Sequence, residues 1–224
     1  MFRWHRVNSI KDLAAIIDHF DKYPLITQKQ ADYLLFKQVF NLINRKEHIT
    51  IEGLRKIIAI KSSINWGLGD ELKLAFPETI PVTRPLIENQ EIPDPYWMAG
   101  FISGEGCFFT NISKSPTKVG ARVQLKFTLS QHSRDELLMK SLVSYFRCGR
   151  YEPYNNQDFG KFVITKLEDL TEKVIPFFKK YPGSKSLDYY DFKKVLELMK
   201  NKAHLTEAGL AKIRKIKAGM NSKR

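Results

Sequence analysis

The residues best suited to chemistry stand in one decapeptide, Trp97-Met98-Ala99-Gly100-Phe101-Ile102-Ser103-Gly104-Glu105-Gly106. Small residues recur four apart, Ala99 with Ser103 and Gly100 with Gly104. On a helix this spacing makes a flat stripe that a second backbone can approach closely. Trp97 and Phe101 fall on other faces and are expected to anchor in the domain core. A carboxylate, Glu105, follows at the helix end between two glycines, whose conformational freedom leaves it unobstructed. Two such helices packed side by side would hold two carboxylates together. That pair suits a hard divalent cation, which prefers carboxylate, water and phosphate oxygens. Glu105 taken alone reads equally well as a loop cap, so the rest of the chain must decide.

The elements that position this carboxylate follow from local signals. Asp94-Pro95 opens a helix over 96–103, with Asp94 as its cap. Alternating stretches at 107–113, 122–130 and 161–166, with a shorter one around 149–153, predict four strands. Helices are expected over 133–146, with Leu137, Leu138, Ser141, Leu142 and Tyr145 inward, and over 169–180, 186–200 and 206–217. The order is helix, two strands, helix, two strands, helices. It predicts an α+β fold with helices on one face of an antiparallel sheet.

Strand parity then selects a solvent face. Counting by twos from Glu105 reaches Cys107, Phe109, Asn111 and Ser113. Counting back from Ser130 reaches Thr128, Lys126, Gln124 and Arg122, while Val123, Leu125, Phe127 and Leu129 form the apolar alternate. Arg150, Glu152, Lys161, Val163 and Thr165 are the counterparts on the other two strands. Any half-solvated sheet would show such a split. The charge gives it a direction: 37 Lys and Arg against 24 Asp and Glu leave an excess of 13. Such an excess favours a polyanion, nucleic acid before membrane. Arg and Lys suit guanine edges and Gln suits adenine in the major groove. Lys114 and Lys118, in the loop 113–120, are placed to reach flanking phosphates.

Other chemistries are excluded or unsupported. Cys107 and Cys148 have no metal-type spacing, and His5, His19, His48, His132 and His204 are scattered, so neither a zinc site nor a disulfide framework is expected. No apolar run reaches about 18 residues, and no membrane partner is implied.

The chain also repeats itself. Lys46-Glu47-His48-Ile49-Thr50, Gly53-Leu54, Ile57, Ile60-Lys61 and Asn65 recur as Lys202-Ala203-His204-Leu205-Thr206, Gly209-Leu210, Ile213, Ile216-Lys217 and Asn221, at a constant offset of 156. Phe36-Lys37 matches Phe192-Lys193 at the same offset, and Tyr23-Pro24 matches Tyr181-Pro182 nearby. The second copy extends about 65 residues further upstream than the first, so one and a half repeats are expected. The divisions are a truncated half over 1–76, with a strand over 2–7 and helices after it, then an extended linker over 77–95, then a complete domain over 96–224. The linker span holds five of the ten prolines, which remove donors and fix φ. His48 and His204 precede Thr caps of the final helices and read as structural.

The decapeptide, with its continuation Gly104-Glu105-Gly106-Cys107-Phe108-Phe109, resembles the LAGLIDADG motif of homing endonucleases, in the single-chain, two-motif type of fungal mitochondrial introns. The segments 129–132, 148–149, 164–170 and 202–206 fall where that family has comparable ones. The resemblance implies a saddle-shaped, pseudo-two-fold enzyme whose sheets enter the major groove of a long double-stranded DNA site. It also implies cleavage of both strands with Mg²⁺ held by the motif acids. Glu105 matches the metal-binding acid, with Gly104 beside it. Gln131 and Lys166 match polar residues that position the attacking water or offset phosphate charge. Ala99, Gly100, Ser103 and Gly104 match the helix interface.

Three readings follow from the missing first motif and from Ser9 standing where the second copy has Lys166. The first is a nuclease completed by a chain or segment that supplies the other helix. The second is a catalytically dead descendant that binds intron RNA, such as a maturase. The third is a homodimer through the small-residue stripe, which the attached half-domain disfavours. The resemblance implies a mitochondrial location.

Overall fold

The computed structural model describes residues 7, 9–88, 90–183 and 186–221. The strand expected over 2–7 lies outside the described residues, apart from Val7. The chain divides into two compact units, Met1–Glu91 and Ile92–Arg224.

The first unit is helical. Its helices are α1 (Ile10–Lys22), α2 (Lys29–Asn44), α3 (Ile51–Lys61) and the short α4 (Asp70–Ala75). Ile17, Tyr33 and Phe40 form one apolar cluster, and Leu35, Leu42 and Ile60 form another. The proline-rich stretch carries no regular structure among its described residues, as proline's missing donor requires. Side-chain bonds fasten the middle of this extended stretch to α2 and to the end of α3. Arg84 donates to Asp32 Oδ1 at 2.5 Å, to the Ser63 carbonyl at 2.9 Å and to the Gln28 carbonyl at 3.0 Å. Gln28 Nε2 donates to the Ile87 carbonyl. Asp32 is 8% exposed and also accepts from Lys29 Nζ and the Asn65 N–H. Burial pushes its carboxyl up, but the hydrogen bonds from Arg84, Asn65 and Lys29 outweigh this and bring it down to about 2.

The second unit is the α+β fold. It begins with α5 (Pro95–Glu105), whose first turn is capped by Asp94 Oδ1, which accepts from Tyr96 N and Trp97 N at 2.7 and 2.9 Å. Then come β1 (Gly106–Lys114), β2 (Ala121–His132), α6 (Glu136–Phe146), β3 (Arg150–Pro153) and β4 (Phe159–Ile164). The four strands form an antiparallel sheet in the order β1-β2-β4-β3. After β4 the chain makes α7 (Leu167–Asp169), a π-turn over Leu170–Val174 and α8 (Ile175–Lys180), followed by α9 (Ser186–Lys200) and α10 (Glu207–Gly219). One apolar core lies between sheet and helices. Phe108 sits at its centre, its ring 5.1–5.2 Å from those of Phe127, Phe178 and Phe192.

Two packing expectations need correction. The inner face of α6 is Leu138, Met139, Leu142 and Phe146, whereas Leu137 is 67% exposed and Ser141 is on the surface. A three-residue 3-10 turn, Ser133–Asp135, precedes α6 and rotates the register of the face. In α5 the core anchors are Met98 and Ile102, both fully buried; Trp97 and Phe101 stack on each other at its flank. The helix expected over 169–180 is present without a break, with a π-helical segment over Leu170–Val174.

The duplication extends to individual hydrogen bonds. Thr50 and Thr206 each cap a helix by accepting from a glycine N–H three residues on, Gly53 and Gly209. A Cβ on either glycine would lie 1.8 or 2.0 Å from a preceding carbonyl oxygen. Lys46 and Lys202 both adopt positive φ, as do Asn65 and Asn221. The Asn65 N–H bonds Asp32 and the Asn221 N–H bonds Asp188, at the same offset of 156.

The Asp32 clasp yields a prediction. Its carboxyl titrates at about 2 when folded and near 4 when unfolded, so its contribution is complete above about pH 4 and is lost as pH falls toward 2. Arg84→Ala is expected to destabilise the first unit by on the order of 2 kcal/mol at neutral pH, below the range for fully buried pairs because Arg84 is one-third exposed. Hydrogen exchange of α2 amides measures both effects, and Asp32→Asn should remove the acid-dependent step between pH 4 and 2.

Candidate nucleic-acid interface

The acid is positioned by a turn with no room for a side chain. Glu105 is the last residue of α5 and Gly106 the first of β1. A Cβ on Gly106 would sit 2.6 Å from the Ile102 carbonyl oxygen and 2.5 Å from its Cγ2. Ile102 is fully buried, so it cannot yield. The turn therefore locks Glu105 to the start of the sheet, exposed to solvent. A helix C-terminus concentrates partial negative charge, which adds to the carboxylate and favours a cation there. Gly104 is also exposed, and a Cβ on it would meet nothing within 4 Å.

The small-residue stripe splits in two. Gly183, in the loop after α8, approaches so closely that a Cβ there would lie 2.3 Å from Ser103 Oγ and 3.3 Å from the Ala99 carbonyl. Ala99 and Ser103 thus face their own unit. A Cβ on Gly100 or Gly104 would meet no atom within 4 Å. Of the four residues expected at a helix interface, only these two glycines are open.

Register assembles the reading face. Cys107 pairs with Thr128, Phe109 with Lys126, Asn111 with Gln124 and Ser113 with Arg122. Ser130 lies opposite Lys161, and Lys161 opposite Glu152. The alternate residues Val123, Leu125, Phe127 and Leu129 are buried, so the even-numbered residues from Arg122 to Ser130 lie on the side away from the core. Val163 is a correction: it has the right parity, opposite Thr128 and Arg150, but is only 3% exposed and cannot reach a base. Thr165 lies just beyond β4, half-buried.

Electrostatics divide the face. Arg150 Nε donates to Glu152 Oε1 at 2.6 Å, and Lys161 Nζ reaches Glu152 Oε2 at 3.2 Å. Burial raises the Glu152 carboxyl, but hydrogen bonds from Lys161 and Arg150 outweigh it and hold it below the usual range. These three predicted contacts are therefore tied to one another. Lys114, Lys118, Arg122 and Lys126 have no acidic partner among the described residues.

Gln131 follows Ser130 toward the end of β2, and Gly106, the residue after Glu105, pairs with Leu129 on that strand. Strand alternation turns Gln131 to the side opposite Ser130; its Oε1 accepts from the His132 N–H at 3.0 Å, leaving the amide nitrogen as a donor. Lys166 lies just past β4, which ends at Ile164, and precedes α7 as its cap residue. Its ammonium pairs with Glu168 at 2.7 Å, which raises its pKa.

Among the described residues no cluster of three or more His, Cys, Asp or Glu could hold a metal. Glu105 fits as one carboxylate ligand, the number Mg²⁺ commonly takes from protein when phosphate and water complete its shell. Sequence reasoning missed Tyr154, whose ring lies 5.1 Å from the Lys161 ammonium, and the approach of Lys217, one of the basic residues of the C-terminal run, whose ammonium lies 5.9 Å from the Phe109 ring. Neither pairing has a signal in local spacing.

A family model described as LAGLIDADG endonuclease matches residues 1–40 and 98–196. The chain belongs to the LAGLIDADG endonuclease family. It is 43% identical to the probable intron-encoded endonuclease 2 of Neurospora crassa over 96% of this chain and 49% of that protein. The chain thus spans about half the length of that curated relative. The solved structure of the LAGLIDADG homing endonuclease I-SmaMI bound to cleaved DNA matches with a TM-score of 0.94 and 47% identity, over 97% of this chain and 74% of that one. I-GzeII in complex with its DNA target matches with a TM-score of 0.90 and 45% identity, over 97% and 76%. I-SmaMI has also been seen on an uncleaved target in the presence of calcium ions.

Two outcomes are expected. Gly106→Ala should lower the unfolding midpoint of the second unit, costing about 2 kcal/mol or more by overpacking, whereas Gly100→Ala should raise stability by about 0.5–1 kcal/mol because alanine is the better helix former. Glu152→Gln should strengthen non-specific duplex binding several-fold at low salt by releasing Arg150 and Lys161, as read by fluorescence anisotropy.

Proposed function

We propose that this chain carries the DNA-reading and DNA-cleaving machinery of a site-specific homing endonuclease, encoded by a fungal mitochondrial intron. The reaction is hydrolysis of one phosphodiester on each strand of a long duplex site, with Mg²⁺ as cofactor. The observation that carries this reading is that Glu105 leads directly into β1, whose outward row pairs with the polar row of β2. An acid at the mouth of a base-reading sheet is the arrangement that couples recognition to scission.

Glu105, with the neighbouring Gly104, would hold the cation, which when bound supplies Lewis-acid charge to the scissile phosphate and acidifies a water. Gln131 offers its amide nitrogen to orient that water or a phosphate oxygen. Arg122 and Lys126 are free of acidic partners and donate to guanine edges, while Gln124 suits adenine. Cys107, Phe109, Asn111, Ser113, Thr128 and Ser130 complete the face, and Lys114 and Lys118 take flanking phosphates. A two-acid site needs a second helix end, and the Gly100/Gly104 stripe is the surface suited to receive it. Duplex DNA, rather than intron RNA, is the partner favoured by a two-layer face of major-groove donors.

A plasmid library of randomised targets, incubated with the chain alone and with a fragment bearing a second motif helix, tests this. Linear product is expected in Mg²⁺ and not in chelator. Glu105→Gln should abolish it while duplex binding changes less than about threefold. No cleavage in either condition, undiminished cleavage by Glu105→Gln, or tighter binding to structured RNA than to duplex would overturn the proposal.

A further inference from the structure

α10 runs along the outer edge of β1. Asn221, just past its end, donates from Nδ2 to the Phe108 carbonyl at 3.0 Å, and Thr110 Oγ1 lies 3.4 Å from Met220 Sδ. At the other end of β1 the strand and helix part. Between them a groove of about 430 Å³ opens, lined by Ser113, Lys114, Gly120, Ala121, Arg214 and Lys217 among others. The cations Lys114, Arg214 and Lys217 have no acidic partner among the described residues. The acid of α10 is Glu207 in its first turn, distant along the helix from Arg214 and Lys217. By contrast, Lys140, Lys161, Lys166, Lys173 and Lys194 in the same unit are each paired with a carboxylate.

We infer that this groove is a phosphate seat for duplex DNA, flanking the base-reading rows and held by Arg214 and Lys217 together with Lys114. The inference rests on the DNA reading proposed above and extends it to a helix outside the sheet. Three observations carry it. Uncompensated cations around one concavity make a local positive potential that an anion lowers. Gly120 and Ala121 give the floor small side chains, so a phosphate can come close to the cations. The groove is continuous with the reading face, since Ser113 belongs to both and the Lys217 ammonium leans to within 5.9 Å of the Phe109 ring on that face. Arg214 suits a phosphate because its planar fork can donate two bonds at once.

The test is fluorescence anisotropy of the full chain on a labelled random-sequence duplex, titrated across salt. Each lost phosphate contact lowers the slope of log affinity against log salt by about 0.9. Arg214→Ala with Lys217→Ala should therefore reduce the slope by about 2 and weaken binding on the order of tenfold near 0.1 M salt. Lys212→Ala with Lys215→Ala is the control: it removes the same charge from the face of α10 turned toward α9. It should change the slope by less than about 0.5. Equal losses in both pairs, or an unchanged slope in the first, overturn the phosphate seat while leaving the DNA reading intact. A wild-type chain without duplex affinity overturns that reading, and the seat with it. A loss in the first pair confined to a structured RNA probe also overturns the seat as a DNA site.

Discussion

Everything at the site depends on the steric contact between Gly106 and the Ile102 carbonyl. The helix ends where it does because the next residue must turn into a strand against a fully buried isoleucine, and only a residue without Cβ fits. That contact sets where β1 starts. The start of β1, through its pairing of Gly106 with Leu129, sets which residues of β2 stand beside the acid. A shift of one residue would turn Arg122, Gln124, Lys126 and Thr128 toward the helices and Phe127 toward solvent. The carboxylate and the reading face are thus one mechanical unit.

Charge on this unit is sorted rather than uniformly positive. Many lysines pair with nearby carboxylates along their own helix, contacts worth little to stability but enough to cancel their field at short range. Arg150 and Lys161 share the single carboxylate of Glu152 on the sheet, which leaves one positive charge there. Cations without an acidic partner among the described residues include Arg122 and Lys126 on β2, Lys114 and Lys118 about the β1–β2 turn, and Arg214 and Lys217 on α10.

Duplication and divergence are both visible. The hydrogen bonds that close α2 onto α3 recur where α9 meets α10, down to an Asp accepting from an Asn N–H. Such bonds persist because an unmatched carboxylate near the core is costly. In the first copy the same Asp also receives Arg84 from the proline-rich segment. A spacer has thereby become a strap, and the first unit includes it up to Glu91.

The sequence by itself determined the α+β order, the capped helix at Asp94, the acid at its end, the alternation on β1 and β2 and the 156-residue repeat, because all of these are encoded in spacings within one element or one offset. Its errors fall where the answer depends on elements far apart in the chain. Val163 has exposed-face parity and is buried; Ala99 and Ser103 look like an interface and are covered by Gly183. On α6 the buried stripe is Leu138, Met139, Leu142 and Phe146, with Leu137 and Ser141 turned to solvent. Glu152 and its two cations are separate letters in the chain and one ion cluster in space. Only the tertiary structure decided these, since periodicity reports which side of an element a residue is on and not what other element already occupies that side.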